Sequence, residues 1–248
     1  MTLWRLELLR LVRTHRWTII AGVYVGFAVL GAFSARYMGE IMARFAGDIV
    51  IEFPDPRPVD GLVQFLGNVT QLGLLAVVIV AASSLAIDAR AEVAAFLRTR
   101  VERARTLLWP RYAAVTLLAV VSLVLGTAIA WVLTAALIGD LPAGPMVVGT
   151  LFGSLYLVFA VAVVAAIAGL IRGTMATVFL SVLALLALPV VGLLPPLQPW
   201  LPSHLVGAVA AMVEGAPASD YLRATAVTLA AVPALLGVAV AGVERREL

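Results

Sequence analysis

Cysteine and lysine are both missing from this 248-residue chain. Without cysteine there is no disulfide framework and no thiol chemistry. Without lysine the loop GxxxxGK[ST] cannot occur, so the chain has no Walker motif with which to hold ATP. Histidine is scarce too. His15 and His204 stand far apart in sequence, which argues against a structural zinc site. Charged residues make up only 12% of the chain, against about 25% in an ordinary soluble domain.

Hydrocarbon fills the space that charge leaves. Hydrophobic residues make up 63% of the chain, and the mean hydropathy is +1.08. A soluble protein of this length needs far more polar surface than that. Lipid is therefore the expected solvent for most of the sequence. A soluble enzyme, a disulfide-built secreted domain and a disordered chain are excluded. The sequence pI of about 9.8 would suit nucleic acid in a soluble protein. In a membrane protein excess arginine reports orientation instead, so no nucleic-acid partner is expected.

A transmembrane helix takes about 20 apolar residues. Runs of that length lie at about 17–35, 61–87, 113–138, 144–171, 174–194 and 222–243, and no ionisable group stands in the interior of any of them. The expected fold is an all-α membrane protein with six spans. Ala32-Phe33-Ser34 loosely resembles a signal-peptide cleavage site. The first apolar run, however, exceeds the usual length of about 7–15 residues, so an uncleaved span is expected. Placing the N-terminus in the cytoplasm puts thirteen of the 17 arginines on that side. Only Arg36, Arg44, Arg57 and Arg223 are left outside. That bias sets both termini cytoplasmic.

Four segments lie between or before the spans. Residues 1–16 suit an amphipathic interfacial helix, with Trp4, Leu8, Leu11 and Val12 on one face and Arg5, Arg10, Arg13 and Arg16 on the other. A basic flank that only sets topology fits equally well. The cytoplasmic loop 88–111 carries six arginines with Asp88, Glu92 and Glu102, and Pro110 is expected to stop its helix before the third span. It is either a solvated topogenic loop or a short helix offered to a partner. External residues 36–60 place Met38, Ile41, Met42 and Phe45 at helical spacing, a second amphipathic helix, followed by a proline-rich stretch. External residues 195–221 contain the apolar run Leu205–Val213, too short to cross, which reads as a re-entrant or interfacial hairpin or as a capping loop.

Polar groups inside the spans are few. Gln64, Asn68 and Gln71 fall at i, i+4, i+7 on the second span. They are candidates for a translocation path, though ordinary interhelical hydrogen bonding accounts for them equally well. Gly22/Gly26, Gly149/Gly153 and Gly169/Gly173 form small-xxx-small pairs that allow close helix approach. Pro189 and Pro195 should kink or end the fifth span. A secondary transporter normally works through intramembrane ionisable groups, and an intramembrane hydrolase needs a nucleophile and a base. With neither present, any transport should draw its energy from another chain. No catalytic, cofactor or metal site is expected on this one.

Three features then resemble one family. The N-terminal Trp4-Arg5-Leu6-Glu7-Leu8-Leu9-Arg10 is similar to an elbow helix. Pro54-Asp55-Pro56 precedes a second span that begins Gln64-Phe65-Leu66-Gly67-Asn68-Val69-Thr70-Gln71. Asp88, Ala91-Glu92 and Arg100-Val101-Glu102-Arg103 follow that span. In layout and in these motifs the chain resembles the permease subunits of bacterial type-2 ATP-binding cassette (ABC) exporters. It departs from them where Ala91-Glu92 replaces a Gly-Thr pair and Arg100 replaces a proline.

The resemblance implies a multi-pass plasma-membrane subunit that pairs with a second six-span subunit, as a homodimer or a heterodimer. Each would contact a separate ATPase subunit that carries ATP and Mg. A coupling helix in loop 88–111 would meet that ATPase through Asp88, Arg90, Glu92, Arg98, Arg100, Glu102, Arg103 and Arg105. A hydrophobic or amphipathic substrate would follow from the aliphatic spans. The competing expectation is a non-transporting scaffold or sensor that docks a cytoplasmic protein through the same basic loop.

Overall fold

The computed structural model describes residues 3–45, 55–86 and 104–245. Every regular element among them is helical. Helix α1 is Leu3–Arg13 and α2 is Arg16–Phe45. The second span is assembled from α3 (Pro58–Asn68), a π turn (Val69–Gly73) and α4 (Leu74–Leu85). Then come α5 (Ala104–Leu137), α6 (Ala143–Leu170) and α7 (Thr174–Val191). Short 3₁₀ turns and α8 (Ala208–Val213) lead to α9 (Leu222–Arg245). Six of these stretches are long and apolar enough to cross a bilayer, as expected from a multi-pass membrane protein.

Side-chain contacts arrange the spans up and down. At one end the starts of α2 and α5 meet the end of α4, since Arg16 and Arg111 both reach Ser84. At the other end the start of α3 meets the segment before α9, through Arg57 and Glu214. Helix α6 runs through the middle, with one unbroken buried stretch from Phe159 to Ala166. Helix α7 sits at the rim, leaving Met175, Phe179 and Val190 strongly exposed, as lipid-facing residues should be.

Glycine sets the closest helix approaches. A Cβ on Gly242 of α9 would lie 2.5 Å from the Gly169 carbonyl oxygen of α6, and one on Gly169 would lie 2.6 Å from the Ala239 carbonyl oxygen. Only hydrogen at both positions lets the two backbones touch. Of the small-residue pairs, Gly149 and Gly169 make such approaches. Gly22, Gly26 and Gly173 have open space around them instead.

Three boundaries differ from expectation. Met38, Ile41 and Met42 do not begin a second helix; they continue α2, which runs unbroken to Phe45. No helix breaker occurs between Trp17 and Phe45, so nothing stops the first span at the bilayer surface. Pro110 does not stop the helix before the third span. It lies inside α5, whose described part begins at Ala104. A proline near one end forfeits a single i to i−4 bond, and the buried Leu107, Leu108 and Tyr112 around it keep the turn packed. Helix α7 contains Pro189 and ends at Val191, short of Pro195.

Candidate functional site

Two places concentrate polar groups or space. The first is the bundle end that carries α1. The turn between α1 and α2 is made by His15 in a left-handed conformation (φ 51°), a region that histidine enters more readily than most residues. Thr18 ties the turn by donating its hydroxyl to the His15 carbonyl at 2.6 Å. This folds α1 back against α5. Glu7 is thereby brought to Arg111, whose Nε donates to Glu7 Oε1 at 3.0 Å. Arg111 Nη1 stands 3.5 Å from the Ser84 carbonyl oxygen, and Arg16 donates to the Ser84 hydroxyl at 2.7 Å. Arg10 lies 3.6 Å from the second Glu7 oxygen.

The pair is buried, with side-chain exposures of 8% for Arg111 and 14% for Glu7. Partners of opposite charge and a carbonyl are what make a buried guanidinium tolerable. The cluster joins the middle of α1 and the starts of α2 and α5 to the end of α4. Residues 87–103 connect α4 to α5, so their two anchors are held by one polar knot. Sequence reading placed Arg111 in the loop 88–111 and missed this role. The signal that could have found it is Glu7, the only carboxylate in residues 1–39.

The second place is a small, partly open cavity of about 30 Å³ between the helices. Tyr24 of α2, Val69 and Thr70 of the π turn, Gly153 and Tyr156 of α6, and Val206 and Val209 of the segment after α7 line it. The π turn fits around Tyr24 because Gly73 has no side chain; a Cβ there would lie 3.2 Å from the tyrosine ring. The Tyr24 hydroxyl is buried and has no hydrogen-bond partner among the described residues. The segment Pro202–Val213, expected as a hairpin or a capping loop, borders the cavity and rests on α6. There a Cβ on Gly149 would lie 2.5 Å from the Val209 Cα. The space is water-sized, far below the ~300–1,000 Å³ of a ligand pocket.

The segment itself is pinned by aromatic stacking. His204 stacks on Tyr221 at 4.8 Å between centroids, and Tyr221 meets Phe152 of α6 at 5.3 Å. Arg57 at the start of α3 lies 3.9 Å from Glu214, while its backbone N–H donates to Asp60 at 2.8 Å. That bond satisfies the N–H that precedes α3, whose first helical position is Pro58.

The residues expected to line a path are distributed differently. Gln64 is half-buried, with its Oε1 3.5 Å from the Ser34 hydroxyl. Ser34 borders an open groove along the distal half of α2, beside Phe33, Tyr37 and Glu40. Asn68 is half-buried and Gln71 is exposed. None of the three lines the cavity between the helices, where Thr70 is the polar member of the second span. The π turn begins only at Val69, and its wider winding rotates Gln71 away from the face shared by Gln64 and Asn68. Of the expected coupling residues, Arg105 is exposed on the first described turn of α5. Asp88, Arg90, Glu92, Arg98, Arg100, Glu102 and Arg103 lie outside the described residues.

No protein-family model matches this chain, and comparison with curated proteins and with solved structures finds no match either.

Proposed function

We propose that this chain is the membrane subunit of an ATP-binding cassette exporter, working with a separate ATPase and a second six-span subunit. The observation that supports this reading most is the buried Glu7–Arg111 pair. It ties the N-terminal helix to both helices that flank the basic segment 87–103. A push on that segment from a cytoplasmic partner would travel into α2, α4 and α5 together, because no anchor can move without breaking the knot. The N-terminus then lies in the cytoplasm of a plasma-membrane protein, and the hairpin faces outside.

The cavity between the helices supports the same reading. Tyrosine, threonine and aliphatic side chains line it, with no carboxylate or imidazole for a coupling ion. Its small size suits one phase of an alternating-access cycle, with Val206 and Val209 as the outer cover. A hydrophobic or amphipathic substrate suits such walls. ATP and Mg belong to the partner, and of Gln64, Asn68 and Gln71 it is Gln64 that stands beside the α2 groove, through Ser34.

The test is reconstitution with a separate candidate ATPase subunit. Export predicts ATP-dependent movement of a lipophilic probe across proteoliposomes. It also predicts loss of ATPase binding when Arg98, Arg100 and Arg103 are all changed to glutamate. A complex that binds the ATPase but moves no probe with ATP would favour the scaffold reading.

A further inference from the structure

Helix α1 presents an unusual outer face because of where its one acid points. Glu7 is the only carboxylate in residues 1–39, and it is turned inward to Arg111. Arg5, Arg10 and Arg13 remain exposed. Large apolar groups are exposed beside them: Trp4 and Leu6 on α1, and Trp17 at the start of α2. Helix α5, against which α1 packs, adds exposed Arg105 and Trp109 one turn apart.

Cations edged by tryptophan and leucine have a natural counterpart. Tryptophan sits at the boundary between headgroups and acyl chains, and arginine pairs with phosphate in a bidentate fashion. An acidic protein surface would complement the arginines and leave the indoles in water. A neutral headgroup would accept the indoles without rewarding three clustered charges. We infer that the outer face of α1 binds anionic phospholipid headgroups, with Arg5, Arg10 and Arg13 at phosphate level and Trp4, Leu6 and Trp17 in the acyl boundary. Glu7 is drawn inward to Arg111 and is met by Arg10 from the rim at 3.6 Å, so the charge left on the face is net cationic and the Glu7–Arg111 pair bears on lipid selectivity as well as packing. This inference needs only a membrane-embedded chain and stands apart from the export reading.

The full-length protein in neutral detergent micelles is titrated with phosphatidylglycerol and, separately, with phosphatidylcholine, and bound lipid is counted by native mass spectrometry. The expected preference for phosphatidylglycerol is on the order of fivefold for each arginine engaged, and added salt weakens it. The triple variant R5Q/R10Q/R13Q abolishes the preference, whereas R36Q, at the other end of α2, keeps it. Equal retention of both lipids by the unaltered protein overturns the proposal. So does a triple variant that keeps the preference, or one that loses a protein partner while the lipid preference stays.

A variant that fails to fold is bypassed by a second measurement. The chain has no cysteine, so L6C carries a single nitroxide in an otherwise unaltered protein. Its collisions with oxygen should rise, and those with a water-soluble nickel complex fall, in vesicles containing phosphatidylglycerol relative to pure phosphatidylcholine. Identical collision rates in the two membranes overturn the proposal.

Discussion

Arg111 Nε and Glu7 Oε1 lie 3.0 Å apart although 104 residues separate them in sequence. Arg111 also donates to the Ser84 carbonyl, and Arg10 lies 3.6 Å from the second Glu7 oxygen. Removing one partner leaves the other buried and uncompensated, at a cost of about 3–5 kcal/mol. Thermal unfolding of the purified protein should therefore show a large loss for R111L or E7L alone. The double variant E7L/R111L should recover much of it, because replacing both charges by apolar groups can be nearly neutral. Additive losses in that cycle would mean the two residues do not interact.

The ion pair at the opposite end behaves differently. Arg57 and Glu214 are both more than half exposed and 3.9 Å apart. Solvent and salt screen such pairs, which contribute about 0–1 kcal/mol. E214Q should leave the melting temperature nearly unchanged at 0.15 M salt, and any loss seen at low salt should vanish as salt is added.

Glycine positions divide into two groups by what surrounds them. Alanine at Gly242 would drive a methyl into the Gly169 backbone, where nothing flexible can give way. G242A should cost about 1–3 kcal/mol or separate α6 from α9. G22A meets nothing within 4 Å and should be neutral or slightly stabilising, since alanine favours a helix by about 1 kcal/mol over glycine. Melting curves of the two variants in the same detergent compare them directly.

The buried Tyr24 hydroxyl has no partner among the described residues. Deleting an unsatisfied buried polar group removes a desolvation penalty of about 1–3 kcal/mol. Y24F should leave stability unchanged or raise it. A fall in the melting temperature would show that the hydroxyl is bonded in solution.

Val209 is buried where the segment Pro202–Val213 meets Gly149. In this cysteine-free chain V209C is a unique reporter of its opening. It should resist a membrane-impermeant maleimide in the resting protein. Under the export reading, labelling should speed up when the ATPase turns over ATP. A rate indifferent to ATP would remove the segment from any gating role.

Hydropathy is a local property, and the span count was legible for that reason. Each apolar run reports its own preference for lipid, whichever helices surround it. The length of α2 and the continuity of α5 through Pro110 were less legible, because a polar or proline residue at a bilayer edge is compatible with either a loop or a longer helix. The stripe Gln64, Asn68 and Gln71 assumed a uniform 3.6-residue winding. One π turn at Val69–Gly73 broke that assumption and put Thr70 in the cavity instead.

By itself the sequence determined the all-helical character and the six stretches long and apolar enough to cross a membrane, since these follow from composition read along one strand of chain. Only the tertiary structure decided which polar groups meet. Glu7 finds Arg111, Gly169 finds Gly242, and Val209 borders the Tyr24 cavity because helices rotate and slide until small residues touch and buried charges pair. That fit depends on several helices at once, and no single segment encodes it.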